Sequence, residues 1–210
     1  MTEQLAETGG RDGFFDPHQR ATIAAAMERI IPTDDTPGAR EAGTIDFLDR
    51  YLSGLKWILA KPDGSGFETL TGGAARAWAQ RLDVVRARYV TGVADLDARS
   101  QAVFGDDFAA LDGAGRDQIL TAVEGRLEDD EPALQQTNAE IDLEFFGLLC
   151  LHTRQGFYAD PIYGGNRDRV GWDVIGFPGP ASLAEVHTGR YSTLEWFADD
   201  RIHPGTEVST

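Results

Sequence analysis

The sequence is poor in the features that mark several classes of protein. Its single cysteine, Cys150, excludes an intrachain disulfide and leaves the redox compartment open. No apolar run approaches the ~20 residues of a membrane-spanning helix, so no direct membrane span is expected. Only two lysines occur, Lys56 and Lys61, and the other basic residues are arginines, which are better suited to bidentate and stacked contacts.

Sequence motifs of self-sufficient active sites are also missing. The segment Gly64-Ser-Gly66 lacks the third glycine and the preceding strand of a dinucleotide-binding loop. No His-Glu-x-x-His or Cys-x-x-Cys pattern offers a ligand set for zinc. We therefore expect no catalytic residues, no cofactor and no metal in this chain, and no enzymatic activity of the chain alone.

The composition is that of a folded, acidic domain. The 210 residues are 41% apolar and 10% aromatic, which suits a single globular domain with a real core. The 19 basic and 35 acidic residues give a net charge of −16. That charge argues against binding to nucleic acid or to anionic membrane surfaces, because both are negatively charged.

Apolar residues recur at helical spacing and no segment alternates with period two, so the sequence predicts a mainly α fold with a single helical domain. The first helix has the clearest start, with Asp16 as the cap, Pro17 at the first helical position and Gln19 at the third. Pro32 ends it. The helices predicted up to residue 123 run over 17–31, 36–57, 67–90, 99–111 and 112–123, the second starting at Thr36-Pro37 and the last capped by Asp112.

The stretch 140–180 organises the rest of the chain. Its apolar run 141–152 predicts a helix buried nearly all round, started by a capping box of Thr137 and the glutamate three residues later. A long Gly- and aromatic-rich loop follows. We expect this loop to be ordered, because Pro161 restricts the backbone and Gly164-Gly165-Asn166 suits a tight turn. The alternative is a structural loop that only closes the core.

The chain is predicted to divide into three parts. Residues 1–13 are interpreted as a disordered leader and residues 14–181 as the helical domain. Residues 182–210 form a tail that is either a final docking helix or an arm for a partner. The acidic run 128–131 is interpreted as a solvated loop or helix terminus.

Two sets of side chains could carry chemistry. The first is a set of four carboxylates: Asp34, Asp35, Glu41 and Asp46. They could bind a hard cation, although they equally suit turns and helix N-termini. In the second, His152 would act as a general base oriented by Asp160, which would make the chain a stand-alone hydrolase or lyase acting on a sugar derivative. A homo-oligomeric structural protein is a third alternative.

Two motifs carry a resemblance to a known family. The first is the segment 29–43, followed by Ile45-Asp-Phe-Leu-Asp49. The second is made of Pro161-Ile-Tyr-Gly-Gly-Asn166, Gly171-Trp172 and Ile175-Gly-Phe-Pro178. In this order, and across most of the chain, they resemble the gluconate 2-dehydrogenase subunit 3 family.

The resemblance implies a non-catalytic small subunit of a flavin-dependent dehydrogenase that acts on sugars, glycosides or sugar acids. A large subunit of the glucose-methanol-choline (GMC) type would carry the FAD and the chemistry. This chain would stabilise it and border its substrate entrance, and a cytochrome c subunit is a further partner. Because aromatic residues and arginines commonly anchor interfaces, the predicted partner interface lies on the loop. Its residues are Arg154, Tyr158, Pro161, Tyr163, Gly164, Gly165, Asn166, Arg167, Trp172 and Phe177.

The first fifteen residues contain neither a twin-arginine pair nor an apolar signal region. Many members of the resembling family carry a twin-arginine signal, so the sequence departs from that pattern. As written, the sequence predicts a cytoplasmic location. The alternative is a periplasmic location, reached by co-export with a partner that carries the signal.

Overall fold

The computed structural model describes residues 13–124, 140–180 and 183–188. Its α-helices are α1 (Pro17–Ile30), α2 (Thr44–Ser53), α3 (Gly72–Phe104), α4 (Gly113–Glu124), α5 (Phe145–Tyr158), α6 (Val170–Val174) and α7 (Leu183–His187). These ranges contain no β-strand, so the predicted mainly α fold is confirmed. The predicted leader (apart from residue 13), the acidic run 128–131, the cap at Thr137 and most of the predicted tail lie outside the described residues.

Helix α1 forms as its local sequence predicts. The Asp16 carboxylate accepts a hydrogen bond from the Gln19 backbone N–H at 2.9 Å, and the Gln19 side chain accepts one from the Asp16 N–H at 3.2 Å. This capping box satisfies two backbone donors at the helix start. Ile23 and Met27 lie one turn apart and are fully buried, and the helix ends at Ile30.

Helix α2 begins at Thr44, so the predicted start at Thr36 is wrong. The Asp34 carboxylate accepts hydrogen bonds from both the backbone N–H and the hydroxyl of Thr36. Such a side-chain turn competes with helix formation, and residues 31–43 form a series of turns instead. Gly43, at φ 66°, then takes the left-handed conformation that turns the chain into α2.

Helix α3 is one helix of 33 residues, where the sequence analysis predicts two, over 67–90 and 99–111. The segment between them continues the helix because Val93 and Leu96 are buried in the core. The helix ends before Gly105, which at φ 79° forms a left-handed cap. Despite this length, none of the described helices is apolar enough to cross a membrane.

Helix α5 begins at Phe145, so the predicted start at the beginning of the apolar run is wrong. Glu140–Asp142 forms a separate 3-10 turn, and the Glu140 side chain is buried inside the protein. The helix also continues past the predicted run to Tyr158. Residues 145–152, the helical part of the predicted run, are buried or half-buried, and exposed side chains of the helix begin only after it, at Arg154 and Gln155.

Helices α1 to α5 enclose one apolar core. The largest fully buried side chains of this core are Ile23, Met27, Leu48, Leu52, Leu82, Tyr89, Leu96, Phe108, Ile119, Leu148 and Leu149. Helix α2 packs most extensively against α5. That packing leaves a groove beside these two helices, which the 3-10 turn Leu55–Trp57 and Tyr163 also border.

Candidate functional site

The segment that follows α5 is tied to its own helix by a buried asparagine. Asn166 is fully buried at φ 46°, and its backbone N–H donates to the Gly156 carbonyl at 2.8 Å. Its side-chain amide donates to the Ala159 carbonyl at 3.0 Å and accepts from the Gly171 N–H at 2.8 Å. One residue therefore satisfies three backbone groups of α5 and the segment after it, and the predicted order of this segment has a structural cause.

Trp172 is a second anchor of the same segment. It is 5% exposed, and its indole N–H donates to the Tyr158 carbonyl at 2.7 Å. The Phe177 ring packs edge-on against it, with the ring centroids 5.3 Å apart. Trp172 therefore shapes the segment from inside and offers little surface to a partner.

The structure separates the ten predicted interface residues by exposure. Arg154, Tyr158 and Arg167 are exposed, Pro161, Tyr163, Gly164 and Phe177 are half-buried, and Gly165, Asn166 and Trp172 are buried. A side chain at Gly165 would overlap the Gly156 carbonyl, so this glycine is required for close packing of the segment on α5. The buried residues of the set therefore fix the positions of the exposed residues, which form the surface.

Three of the four carboxylates that could have bound a cation, Asp34, Glu41 and Asp46, are engaged elsewhere. Asp35 is exposed. Asp46 pairs with Arg20 and, at 2.6 Å, with Arg167. Hydrogen bonds from Thr36 lower the pKa of Asp34, and the hydrogen bond from the Thr33 hydroxyl lowers the pKa of Glu41 to about 2. Within residues 13–124, 140–180 and 183–188, no group of three or more potential ligands is arranged to hold a metal ion.

The pairing of His152 with Asp160 is wrong, because each residue has other partners. His152 is fully buried, with Nε2 2.7 Å from Glu140 and Nδ1 2.8 Å from the Tyr89 hydroxyl oxygen. Asp160 caps the next 3-10 turn by accepting from the Ile162 N–H at 2.9 Å. The proposed acid–base pair of a hydrolase or lyase does not form.

Glu140 is the centre of a buried polar cluster below the groove. It is 5% exposed and accepts hydrogen bonds from Tyr51, Arg81 and His152. Burial alone would raise the pKa of Glu140, but the hydrogen bond and charge of His152 and the hydrogen bonds from Arg81 and Tyr51 lower it below the usual range. Burial and the neighbouring Glu140 charge raise the pKa of Tyr51, which stays a neutral donor.

The groove itself has a volume of about 540 Å³ and a mainly aromatic and aliphatic lining. Its apolar lining comprises Phe47, Tyr51, Trp57, Ile58, Leu151, Ala159 and Tyr163. Pockets of this size and character are typical binding sites. The Tyr163 ring is held edge-on against Phe67 at 5.6 Å, so this part of the lining is fixed by the chain's own packing.

Polar side chains of α5 line the open side of the groove. Arg154, Gln155 and Tyr158 lie on one face of the helix, three and four residues apart, and all three are exposed. No hydrogen bond or ion pair joins these three side chains to the described residues. Arg50 and Lys56 lie over the ring of Trp57, a lining residue of the groove, at 4.8 and 5.0 Å from its centroid.

Several of these groove residues are not among the predicted interface residues. Tyr51, Trp57 and Gln155 were not singled out, because the groove joins segments that are about a hundred residues apart in sequence. One local signal was available: Trp57 stands next to Lys56, one of only two lysines. The spacing of Arg154, Gln155 and Tyr158 on α5 was another.

Comparisons with known proteins give one positive result. Neither the curated proteins nor the solved structures contain a match to this chain. The sequence model of one family, described as gluconate 2-dehydrogenase subunit 3, matches residues 17–179. The match covers most of the chain, including both motifs, the groove and the segment held by Asn166. The chain therefore belongs to the gluconate 2-dehydrogenase subunit 3 family, an accessory subunit of the dehydrogenase.

Proposed function

We propose that this chain is the non-catalytic small subunit of a flavin-dependent dehydrogenase that acts on sugars, glycosides or sugar acids. Membership of the family over residues 17–179 is the observation that carries the proposal. In this proposal the FAD is held by a large subunit of the GMC type, which oxidises the CH–OH group of the substrate. The small subunit stabilises that flavoprotein and borders its substrate entrance, and a cytochrome c subunit is a further partner.

The geometry of the segment after α5 supports a role in binding. Asn166 and Trp172 fasten this segment to the end of α5, so Arg167 of the segment is presented at a defined position beside Arg154 and Tyr158 of the helix. A surface that is ordered before binding loses less conformational entropy when the complex forms. Exposed arginine and tyrosine side chains next to an apolar groove are also typical of interface centres.

The test is co-expression with the GMC-type flavoprotein that is proposed as the partner, with an affinity tag on one of the two. We expect both chains to co-purify in a fixed ratio, with flavin bound. We also expect the large subunit expressed alone to lose flavin or activity on mild heating sooner than the complex does. A large subunit that is fully active and stable alone, and does not retain this chain, would contradict the proposal.

A further inference from the structure

We infer that the groove between α2 and α5 receives an apolar side chain from an acidic segment of the large subunit. The inference rests on the proposed function. It specifies where on this chain the large subunit binds and what kind of segment makes the contact. The groove is bordered by Tyr51, Trp57 and Tyr163 on one side and by the outer face of α5 on the other. Its binding residues are therefore in part different from those that the sequence predicts.

The apolar lining indicates what enters the groove. Burial of an aromatic or long aliphatic side chain against Phe47, Ile58 and Leu151 gains the transfer free energy of its whole surface. A sugar would bring a hydroxyl on nearly every carbon, and each buried hydroxyl needs a hydrogen-bond partner. Among the described lining residues, the unpaired polar groups are few: the side chains of Arg154, Gln155 and Tyr158 and the buried indole N–H of Trp57. A side chain of a polypeptide therefore fits this groove better than a sugar.

Charge indicates the sequence around that side chain. Arg154 borders the groove with all its donors free of described partners, and Arg50 and Lys56 add two positive charges next to the lining residue Trp57. Both lysines of the chain, Lys56 and Lys61, lie in the adjoining segment. The chain as a whole carries a charge of −16, so an acidic segment is repelled elsewhere and attracted here. Complementarity of this kind selects the docking site as well as adding affinity.

The chain offers a matched control for the groove. Tyr158, at the groove, is 40% exposed, and Phe104, at the end of α3, is 41% exposed. Trp78 of α3 packs against Tyr51 of the groove, with the ring centroids 6.5 Å apart. Phe104 lies further along the same helix by roughly 39 Å, at 1.5 Å per residue. Truncation of either ring removes a similar exposed aromatic surface, but only Tyr158 borders the groove.

The experiment measures binding of each variant to the purified GMC-type large subunit at several salt concentrations. We expect Tyr158→Ala to weaken binding at least tenfold and Phe104→Ala to weaken it less than twofold. We expect Arg154→Gln to weaken binding at low salt. The affinity of this variant should also depend less on salt concentration, because one fewer positive charge is there to be screened. The melting temperature of each variant checks that it folds, and Arg154→Gln serves where Tyr158→Ala does not fold.

The outcomes separate this inference from the proposed function. If the wild-type chain does not bind the large subunit, the proposed function fails and the inference fails with it. If the wild-type chain binds, but Tyr158→Ala and Arg154→Gln bind equally well, only the inference is overturned. It is also overturned if the isolated chain dimerises through Tyr158. A rise in its melting temperature with gluconate, abolished by Tyr158→Ala, would overturn it as well.

Discussion

Glu140 shows how a single residue connects distant parts of this chain. Its carboxylate is shared by Tyr51 of α2, Arg81 of α3 and His152 of α5. His152 extends this cluster, because its Nε2 lies 2.7 Å from Glu140 and its Nδ1 lies 2.8 Å from the Tyr89 hydroxyl oxygen. A buried carboxylate with this many donors is stable only while all of them are present, because each lost partner leaves a buried polar group unpaired.

The first prediction concerns replacement of this carboxylate. We expect Glu140→Gln to lower the free energy of unfolding by about 3 kcal/mol, because Arg81 and His152 lose their buried anionic partner. Glu68 is an exposed glutamate, and Glu68→Gln is the control, with an expected change below about 0.5 kcal/mol. Urea unfolding at pH 7 measures both. Equal effects of the two substitutions would show that the buried cluster contributes nothing.

The second prediction concerns pH. The pKa of Glu140 is lower in the folded chain than its ordinary value of about 4.3, so its contribution is fully present above that value. The contribution is lost as the pH falls through the folded pKa, when the carboxylate is protonated. The difference in stability between wild type and Glu140→Gln should therefore be largest near neutral pH and shrink as the pH falls below that ordinary value. A difference that stays constant across this pH range would contradict the assignment.

At the scale of the element, the sequence predicts the start of a helix where the capping side chain bonds to a backbone N–H within the next three residues. Asp16 and Gln19 cap each other, and Asp112 accepts from the Gly115 N–H at 2.8 Å at the start of α4. The start of α5 was not predictable in this way. Glu140 has the spacing of a capping residue, but Arg81 and His152 bind its carboxylate instead, and a sequence pattern does not contain such distant partners.

The third prediction compares two glycines. A Cβ at Gly165 would overlap the Gly156 carbonyl, whereas a Cβ at Gly73, in the first turn of α3, has open space around it. We expect Gly165→Ala to destabilise the chain by about 1–3 kcal/mol through overpacking. We expect Gly73→Ala to be neutral or to stabilise it by up to about 1 kcal/mol, because alanine favours the helix. Thermal unfolding measures both, and two equal effects would exclude close packing as the cause.

At the scale of the whole molecule, the sequence predicted the fold class but not the groove. Helical spacing depends on neighbouring residues, so the mainly α fold follows from local patterns. The groove depends on how α2 and α5 pack, which brings Trp57 and Tyr158 together from positions about a hundred residues apart. The motifs of the aromatic segment after α5 indicate that it is important. Which of its residues are buried anchors, such as Asn166, and which form the outer surface follows only from the structure.

The last prediction is that the core and the segment 159–180 unfold together. The segment is joined to α5 through Asn166 and to the loop before α2 through the Arg167 N–H, which donates to the Ala42 carbonyl at 2.9 Å. A chain that keeps Trp172 as its only tryptophan, with the other three replaced by phenylalanine, reports on the segment by fluorescence, while far-UV circular dichroism reports on the helices. We expect both signals to change at one urea concentration.

The Gly165→Ala variant tests the cause of that coupling. If close packing on α5 joins the segment to the core, overpacking at Gly165 should weaken the junction itself. The Trp172 signal should then change at a lower urea concentration than the circular dichroism signal. Gly73→Ala should leave the two transitions coincident, because its site in α3 is remote from the junction in sequence and free of contacts. Separate transitions already in the single-tryptophan chain without Gly165→Ala would mean that the segment folds independently and that the surface it presents is not fixed by the core.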